Sequence, residues 1–329
     1  MNGKRGFEFS FAWLFSIIIG GVIIFLAIYF STSLINNEAK VQNTLNAKDL
    51  EILLQPIETQ SFESSIKPKV IEFPDETKID IDCSYQSPFG YSKVKTSTRQ
   101  RVGDEWQEGG VGTTINNKYL FGEKSLQGKE FQIFAQQFTM PFKIGDLTFI
   151  WSKDYCFVNS PNYVKEDFSS LDINKSIKFA DNIGGCEVKS EKVCFGSAES
   201  SGCNIVVDLN LERIKKQGRF VYYKGPLIYG AIFSDVDNYD CNIKRIMLKA
   251  GSLSGVYYDK SNLIASRSKE SCSVEMQPLL KNYANKANLN SSNMQEIYIN
   301  FNEMYKLAGE LDNSQSRLIC SLWKEEFKK

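Results

Sequence analysis

The chain has 329 residues with 42% hydrophobic and 13% aromatic content, which is enough for one large or two modest globular domains and argues against extended disorder. Its 39 basic and 39 acidic residues cancel, so it lacks the positive surplus that a nucleic-acid-binding surface needs to displace counterions. Histidine is absent, which excludes Ser-His-Asp and Cys-His catalysis and His-ligated zinc or haem, and leaves carboxylates, lysine, tyrosine and cysteine for any enzymatic role.

An uncharged apolar run, Phe9 to Phe30, follows a short N-terminal segment of residues 1–8. As a helix at about 1.5 Å per residue it covers roughly 33 Å, enough to cross a bilayer core of about 30 Å. A buried core helix of this length would carry a polar face. A cleaved signal peptide has a shorter apolar region, although Ser31-Thr32-Ser33 supplies small residues where a peptidase could cut. The run is therefore predicted to be a transmembrane helix over residues 9–30, in contact with the lipid bilayer.

The charges that flank this run predict its orientation. Lys4 and Arg5 precede it, whereas Glu38, Lys40, Lys48 and Asp49 after it are balanced in charge. Positive flanks remain on the cytoplasmic side of a membrane. The short N-terminal segment is therefore predicted to be cytoplasmic, and the bulk of the chain extracytoplasmic, held at the cell membrane by a single span.

Three small residues recur every fourth position within the predicted span: Ala12, Ser16 and Gly20. This spacing places them on one face of a helix, where another helix can approach closely. Glycine and alanine are also common in membrane helices that have no such partner. The stripe predicts a helix-packing face and a membrane-helix partner or self-assembly.

Residues 31–57 predict a helical stalk that continues out of the membrane. Good helix formers dominate, with apolar residues at Leu34, Val41, Leu45, Ile52 and Leu53. Pro56 is expected to end the helix. The polar residues 58–68 are then predicted to form a linker.

The sequence pattern of residues 69–235 predicts short strands separated by turns. Lys78 to Cys83 alternates between polar and apolar residues, as do parts of Phe131 to Phe138 and of Gly218 to Tyr223. No helical pattern comparable to the later ones occurs in this region. An antiparallel, β-rich ectodomain region is expected.

Residues 236–329 predict helices. Apolar residues recur at helical spacing from Ile243 to Tyr257 and from Met294 to Ala308, and a shorter helix is expected over Val274 to Ala287. Ser292 with Gln295 matches a capping box at the start of the last helix. The predicted fold class is α+β: an N-terminal transmembrane helix with a helical extension, an antiparallel β-rich region and a C-terminal helical layer.

Eight cysteines all follow the predicted span, which suits up to four disulfides in an oxidising compartment. Zinc is the alternative, but no CxxC occurs in the chain. Eight cysteines allow 105 pairings. Proximity in sequence suggests Cys83 with Cys156, and two among Cys241, Cys272 and Cys320. The candidates are Cys83, Cys156, Cys186, Cys194, Cys203, Cys241, Cys272 and Cys320.

Two motifs have both a ligand-binding and a plain structural interpretation. The glycine-rich run Glu108 to Thr114 lacks the GK[ST] ending of a phosphate loop, so a flexible turn is expected. Asp235, Asp237 and Asp240 are weak candidates for a calcium site, with the EF-hand pattern incomplete. Capping of the helix that follows explains the same aspartates. No cofactor is expected.

Two Asn-x-Ser sequences match the glycosylation acceptor pattern, at Asn174 and at Asn290. Chance matches to this pattern are frequent. An extracytoplasmic location would make both asparagines accessible to modification.

At the N-terminus, Lys4-Arg5-Gly6-Phe7 precedes the long apolar helix and its extension. This arrangement resembles the start of type IV pilin-like proteins of archaea and bacteria, and the match covers residues 4 to 55. The resemblance implies a peptidase cut between Gly6 and Phe7 and a helix that packs into filaments. The family's glutamate at the fifth mature position is replaced here by Phe11, and the acid falls at Glu8. The whole chain also resembles single-anchor surface proteins of archaea, which implies no activity.

These observations predict a non-enzymatic, membrane-anchored extracytoplasmic protein with a binding or assembly role toward a membrane helix, a surface protein or itself. An anchored hydrolase that uses Asp and Glu on glycans or wall material is the alternative, and would show a deep cleft with two carboxylates roughly 5–10 Å apart. A small-molecule capture domain would show an enclosed apolar pocket instead.

Overall fold

The computed structural model describes residues 11–59, 66–86, 89–99, 103–107, 110–116, 118–169, 176–196, 202–267, 274–290, 293–317 and 321–323. The helices are α1 (Phe11–Thr59), α2 (Asn162–Ser169), α3 (Leu227–Phe233), α4 (Val236–Arg267), α5 (Met276–Lys286) and α6 (Met294–Gln315). The first strands are β1 (Ile66–Ser84), β2 (Tyr91–Arg99), β3 (Thr113–Asn116), β4 (Tyr119–Phe121), β5 (Ser125–Thr139) and β6 (Lys143–Trp151). The later strands are β7 (Tyr155–Val158), β8 (Ile177–Ala180), β9 (Glu191–Phe195), β10 (Ile205–Asp208), β11 (Arg213–Lys216) and β12 (Arg219–Tyr222). The predicted succession of apolar helix, sheets and C-terminal helices is confirmed.

The strands form two six-stranded sheets. The first has the order β3-β2-β1-β5-β6-β4, and only its β4–β6 pair is parallel. The second has the order β12-β11-β10-β9-β7-β8, and its pairs from β10 to β8 are all parallel. The prediction of an antiparallel region is therefore wrong for most of the second sheet. Strand direction is set by the connections, because parallel neighbours need a crossover, and alternation within a strand carries no information about it.

Two short helices interrupt the strand region, which shows no helical pattern in its sequence. Helix α2 has eight residues and α3 has seven. Each makes only about two turns, which is too short for a helical period to be recognised. All seven residues of α3 are buried, so this helix has no polar face from which it could have been predicted.

Strand β1 confirms the alternation seen in the sequence, since Ile79 and Ile81 are buried between more exposed polar residues. It begins at Ile66, within the predicted linker of residues 58–68. Its pairing with β5 shifts register in the two intervals that contain Pro68 and Pro74. Proline has no N–H for the hydrogen-bond ladder, so the pairing is irregular there.

The main hydrophobic core draws residues from both sheets and from α2 to α6. At its centre Trp151 of β6 stacks on Phe233 of α3, with ring centroids 4.3 Å apart and planes 8° apart. A smaller cluster covers the other face of the first sheet, where Ile133 and Ile150 alternate with the core residues Phe134 and Phe149. The strand region and the helical region therefore share one core.

The C-terminal helices lie close to their predicted positions. Ile243, Ile246, Met247 and Ala250 of α4 are buried, as their spacing predicts. Helix α6 begins one residue later than expected. Its N-cap is Asn293, whose side chain accepts a hydrogen bond from the Gln295 backbone N–H at 3.0 Å. The capping box from Ser292 is therefore wrong, and Ser292 itself lies outside the described residues.

Helix α1 is continuous for 49 residues, about 73 Å at 1.5 Å per residue. It contains the one stretch in the described part of the chain that is long and apolar enough to cross a membrane, Trp13–Leu34, with a mean hydropathy of 2.5. The predicted span and stalk are thus parts of a single helix. The prediction that Pro56 ends the helix is wrong, since α1 continues to Thr59.

Candidate functional site

The segment of α1 from Asn43 to Ala47 packs on the edge of the first sheet that is formed by β2 and β3. Asn43 and Ala47 are 0% and 2% exposed there. The Thr96 hydroxyl of β2 donates a hydrogen bond to the Asn43 carbonyl oxygen at 2.5 Å, and the Thr44 hydroxyl accepts one from the Val111 backbone N–H at 3.1 Å. Asn43, Thr44 and Ala47 form the docked face of α1.

Gly110 and Val111, in the described part of the glycine-rich run, lie against this docked face. A Cβ at Gly110 would meet the Thr44 hydroxyl oxygen at 2.0 Å and the Lys40 carbonyl oxygen at 2.5 Å. Only glycine allows helix and loop to approach so closely. Beyond the turn expected for this run, the missing side chain of Gly110 makes the contact with α1 possible.

The opposite side of α1 carries apolar side chains that no described residue covers. Leu34, Val41 and Leu45 are 63%, 61% and 47% exposed. At about 100° per residue these three positions lie within a sector of about 40°, and Asn43 lies on the other side of the helix. The stalk part of α1 therefore has one face buried against the first sheet and a second, apolar face that is exposed.

This exposed face continues into the apolar stretch of the helix. Gly20, Ala27, Leu34 and Val41 are spaced seven residues apart, and seven residues fall only about 20° short of two helical turns. We call Gly20, Ala27, Leu34, Val41 and Leu45 the outer stripe. Nothing lies within 4 Å of a Cβ built at Gly20. Ser16 lies on the same side one turn earlier, and the side chain of Ala12 lies outside the described part of the chain.

Three disulfides lie among the described cysteines: Cys83–Cys241, Cys156–Cys186 and Cys194–Cys203. The suggested pair Cys83–Cys156 is wrong, because β1 lies against α4 and β7 belongs to the other sheet. Cys241 bonds to Cys83 and so pairs with neither Cys272 nor Cys320. Cys272 and Cys320 lie outside the described residues. Three disulfides suit an oxidising compartment.

Helix α4 is fixed to the first sheet by buried polar side chains next to the Cys83–Cys241 bond. The amides of Asn238 and Asn242 donate to the carbonyl oxygens of Gly122 at 2.7 Å and Leu120 at 2.9 Å. The Arg245 guanidinium donates to the Ser92 hydroxyl and to the Asn242 side-chain oxygen, both at 2.9 Å. Burial lowers the pKa of Arg245 to about 10. We call Asn238, Asn242 and Arg245 the α4 seam, and its role is structural.

The acidic cluster does not form a calcium site in the structure. Asp235 accepts the backbone N–H of Asn238 at 2.8 Å and so caps α4. Asp237 pairs with Arg219 at 2.5 Å, and Asp240 accepts the Tyr298 hydroxyl at 2.5 Å. The three carboxylates thus serve different partners, and no group of three or more Cys, Asp or Glu suited to a metal occurs in the described part of the chain.

A cleft of about 180 Å³ opens between the β11–β12 hairpin and α6, close to Asp240. We call it the tyrosine cleft. The rings of Tyr222 and Tyr298 lie 5.4 Å apart at 53°. Burial raises the pKa of the Asp240 carboxyl behind Tyr298. The lining residues are Leu211, Glu212, Tyr222, Tyr223, Lys224, Gln295, Tyr298, Ile299, Phe301 and Asn302.

The tyrosine cleft matches neither the two-carboxylate cleft expected of a glycan hydrolase nor the enclosed apolar pocket expected of a small-molecule capture domain. Its lining contains one carboxylate, that of Glu212, and this carboxylate is bound by the Lys224 ammonium. Its lining is also too polar for an enclosed apolar pocket. The cleft could not be predicted from the sequence, because its two walls are separated by about seventy residues of chain and consist of residue types that occur in many other settings.

Of the two predicted glycosylation sites, only Asn290 lies among the described residues. Asn290 is exposed, between α5 and α6, and so is accessible. Asn174 lies outside the described residues, as do Gly6 and Phe7 at the expected processing site.

Comparison of the chain with protein-family models, with curated proteins and with solved structures finds no match in any of the three. The function is therefore inferred from the residues and the geometry of this chain.

Proposed function

We propose that this protein is a single-pass, membrane-anchored extracytoplasmic protein without enzymatic activity, which assembles through the outer stripe of α1. The N-terminus is cytoplasmic, Trp13–Leu34 crosses the lipid bilayer, and the disulfide-bonded sheets and helices lie outside. The length and hydropathy of this stretch support the anchor, and three disulfides support the oxidising side.

The exposure of Leu34, Val41 and Leu45 is the observation that carries the assembly role. Leu34 ends the membrane stretch, and Val41 and Leu45 lie beyond it, where a helix facing water would normally present polar residues on its free side. A second helix that also emerges from the membrane would cover them. The small residues Gly20 and Ala27 allow that helix to approach closely within the lipid.

The spacing of the stripe favours a second copy of α1 as the partner. Residues repeated every seven positions on one face pack against an equivalent face in a left-handed coiled coil. The N-terminal resemblance supports a pilin-like form of this assembly, which would require cleavage between Gly6 and Phe7.

Photo-crosslinking in native membranes tests the proposal. A benzoylphenylalanine replaces Val41 on the stripe in one variant, and Gln42, which is exposed about 100° around the helix, in the matched control. We expect a covalent dimer from position 41 and much less from position 42. Equal yields from both positions, or an adduct that contains only lipid, would contradict assembly through the stripe.

A further inference from the structure

The tyrosine cleft combines aromatic faces with hydrogen-bonding groups that have no partner of their own. The side-chain amides of Gln295 and Asn302 form no hydrogen bond with any other described residue, although both line the cleft. Each amide offers two donors and one acceptor oxygen. The hydroxyl of Tyr298 is already committed to Asp240 and this residue is only 5% exposed, so the aromatic face that the cleft offers is mainly that of the partly exposed Tyr222.

The charges of the cleft neutralise each other. The Lys224 ammonium binds the Glu212 carboxylate and also lies 5.3 Å from the centre of the Tyr305 ring. A cationic ligand would have to compete with Lys224, and an anionic ligand with Glu212. A neutral ligand can bond to the remaining donors and acceptors of both groups and leave the ion pair intact.

The backbone holds this arrangement in place. Glu212 has a φ of +47°, an uncommon conformation for a residue other than glycine. Its carbonyl oxygen accepts the Tyr223 backbone N–H at 2.9 Å, which fixes the turn beside the cleft. The Glu212 carboxylate is thus presented by a rigid hairpin rather than by a loose loop.

We propose that the tyrosine cleft binds one ring of a neutral sugar. A pyranose ring has an apolar C–H face, which suits the partly exposed ring of Tyr222, and hydroxyls at its edge that both donate and accept hydrogen bonds. The volume of about 180 Å³ is smaller than that of pockets for drug-sized ligands, roughly 300–1,000 Å³, so it suits a single ring. This inference rests on the proposed function only for the extracytoplasmic location, where glycans are available.

Binding to the full chain, purified in a detergent without a sugar headgroup, tests the inference. The probes are glucose, galactose, mannose and N-acetylglucosamine, with lysine amide and phenylalanine amide as representatives of peptide side chains. Saturation-transfer NMR reports which probe binds, and a titration gives its dissociation constant. We expect at least one sugar to bind, and neither amide.

Three variants locate the binding. Tyr222→Leu removes the aromatic face and keeps an apolar side chain, and Asn302→Ala removes one amide. Each should weaken the affinity for the sugar about tenfold or more, which corresponds to the loss of about 1.4 kcal/mol of binding free energy. Asn313→Ala makes the same change at an exposed position of α6 outside the cleft and should have no effect.

Three results would overturn the inference: no binding of any sugar, sugar binding that Tyr222→Leu and Asn302→Ala leave unchanged, or cleft-dependent binding of an amide alone. The last would identify a site for a peptide side chain. None of these results bears on the outer stripe, because crosslinking at position 41 does not involve the cleft. Conversely, loss of the dimer adduct would leave the sugar measurement intact.

Discussion

Helices α1 and α4 both pack on the first sheet, but they are attached by different means. Helix α4 is held by the buried α4 seam and by a disulfide to β1. Helix α1 is held by the docked face, three small residues with two hydrogen bonds to the β2–β3 edge. The first half of α4, up to Ala250, lies largely within the core, whereas α1 keeps an exposed apolar stripe on its free side.

This difference separates stability from assembly. The α4 seam buries polar groups that are costly to leave unpaired, so it fixes one arrangement of helix and sheet. The docked face positions α1 relative to the sheets but leaves Leu34, Val41 and Leu45 of the outer stripe exposed. Changes at the two contacts should therefore affect different properties of the protein.

Removal of the disulfides should have the largest effect, and an unequal one. The Cys83–Cys241 bond closes a loop of 158 residues and Cys194–Cys203 a loop of nine. Chain entropy predicts that the double serine variants lose about 5 and about 3 kcal/mol of unfolding free energy, respectively. Urea denaturation of both variants measures this, and equal losses would contradict the expected dependence on loop length.

Arg245→Met should have the next largest effect. It keeps the apolar part of the side chain but leaves the Ser92 hydroxyl and the Asn242 side-chain oxygen without their donor, which costs about 2–3 kcal/mol of unfolding free energy. Arg317→Met, at an exposed position, is the matched control and should cost little. Urea denaturation measures the unfolding free energy of both variants. A loss below about 0.5 kcal/mol for Arg245→Met would mean that the α4 seam does not stabilise the fold.

Gly110→Ala should have a smaller, local effect. The new Cβ would collide with the Thr44 hydroxyl and the Lys40 carbonyl oxygen, so α1 would have to shift away from the sheet at a cost of about 1–3 kcal/mol. Hydrogen exchange should then become faster at the amides of residues 40–47 and remain unchanged in α4. Gly255→Ala, where a Cβ meets open space, is the control. Unchanged exchange in α1 would contradict the docked face.

The parts of the fold that could be predicted depend on contacts close in sequence. Alternation found the buried Ile79 and Ile81, and helical spacing found Ile246 and Met247, because one residue pattern reports one buried face. The Cys83–Cys241 pairing could not be predicted, since it depends on which helix crosses β1. The parallel strands of the second sheet were missed for the same reason.

The candidate sites show the same limit. The exposed face of α1 could be anticipated from Gly20, Leu34 and Val41, which lie on one helix. Its significance became clear only when the structure showed Asn43 and Ala47 buried on the opposite side. The contact at Gly110 was hidden because a glycine in a glycine-rich run predicts a turn. The tyrosine cleft joins a β-hairpin to a helix distant in the sequence, so neither part indicates it alone.

The most direct test of an anchored, extracytoplasmic and oxidised protein is the intact mass of the chain purified from its native membrane. The protein is alkylated without reduction in one sample and after reduction in the other. We predict no alkylated cysteine before reduction and eight after it. A mass that lacks residues 1–6 would in addition indicate pilin-like processing. Six or more alkylated cysteines before reduction would contradict both the disulfides and the extracytoplasmic location of the sheets.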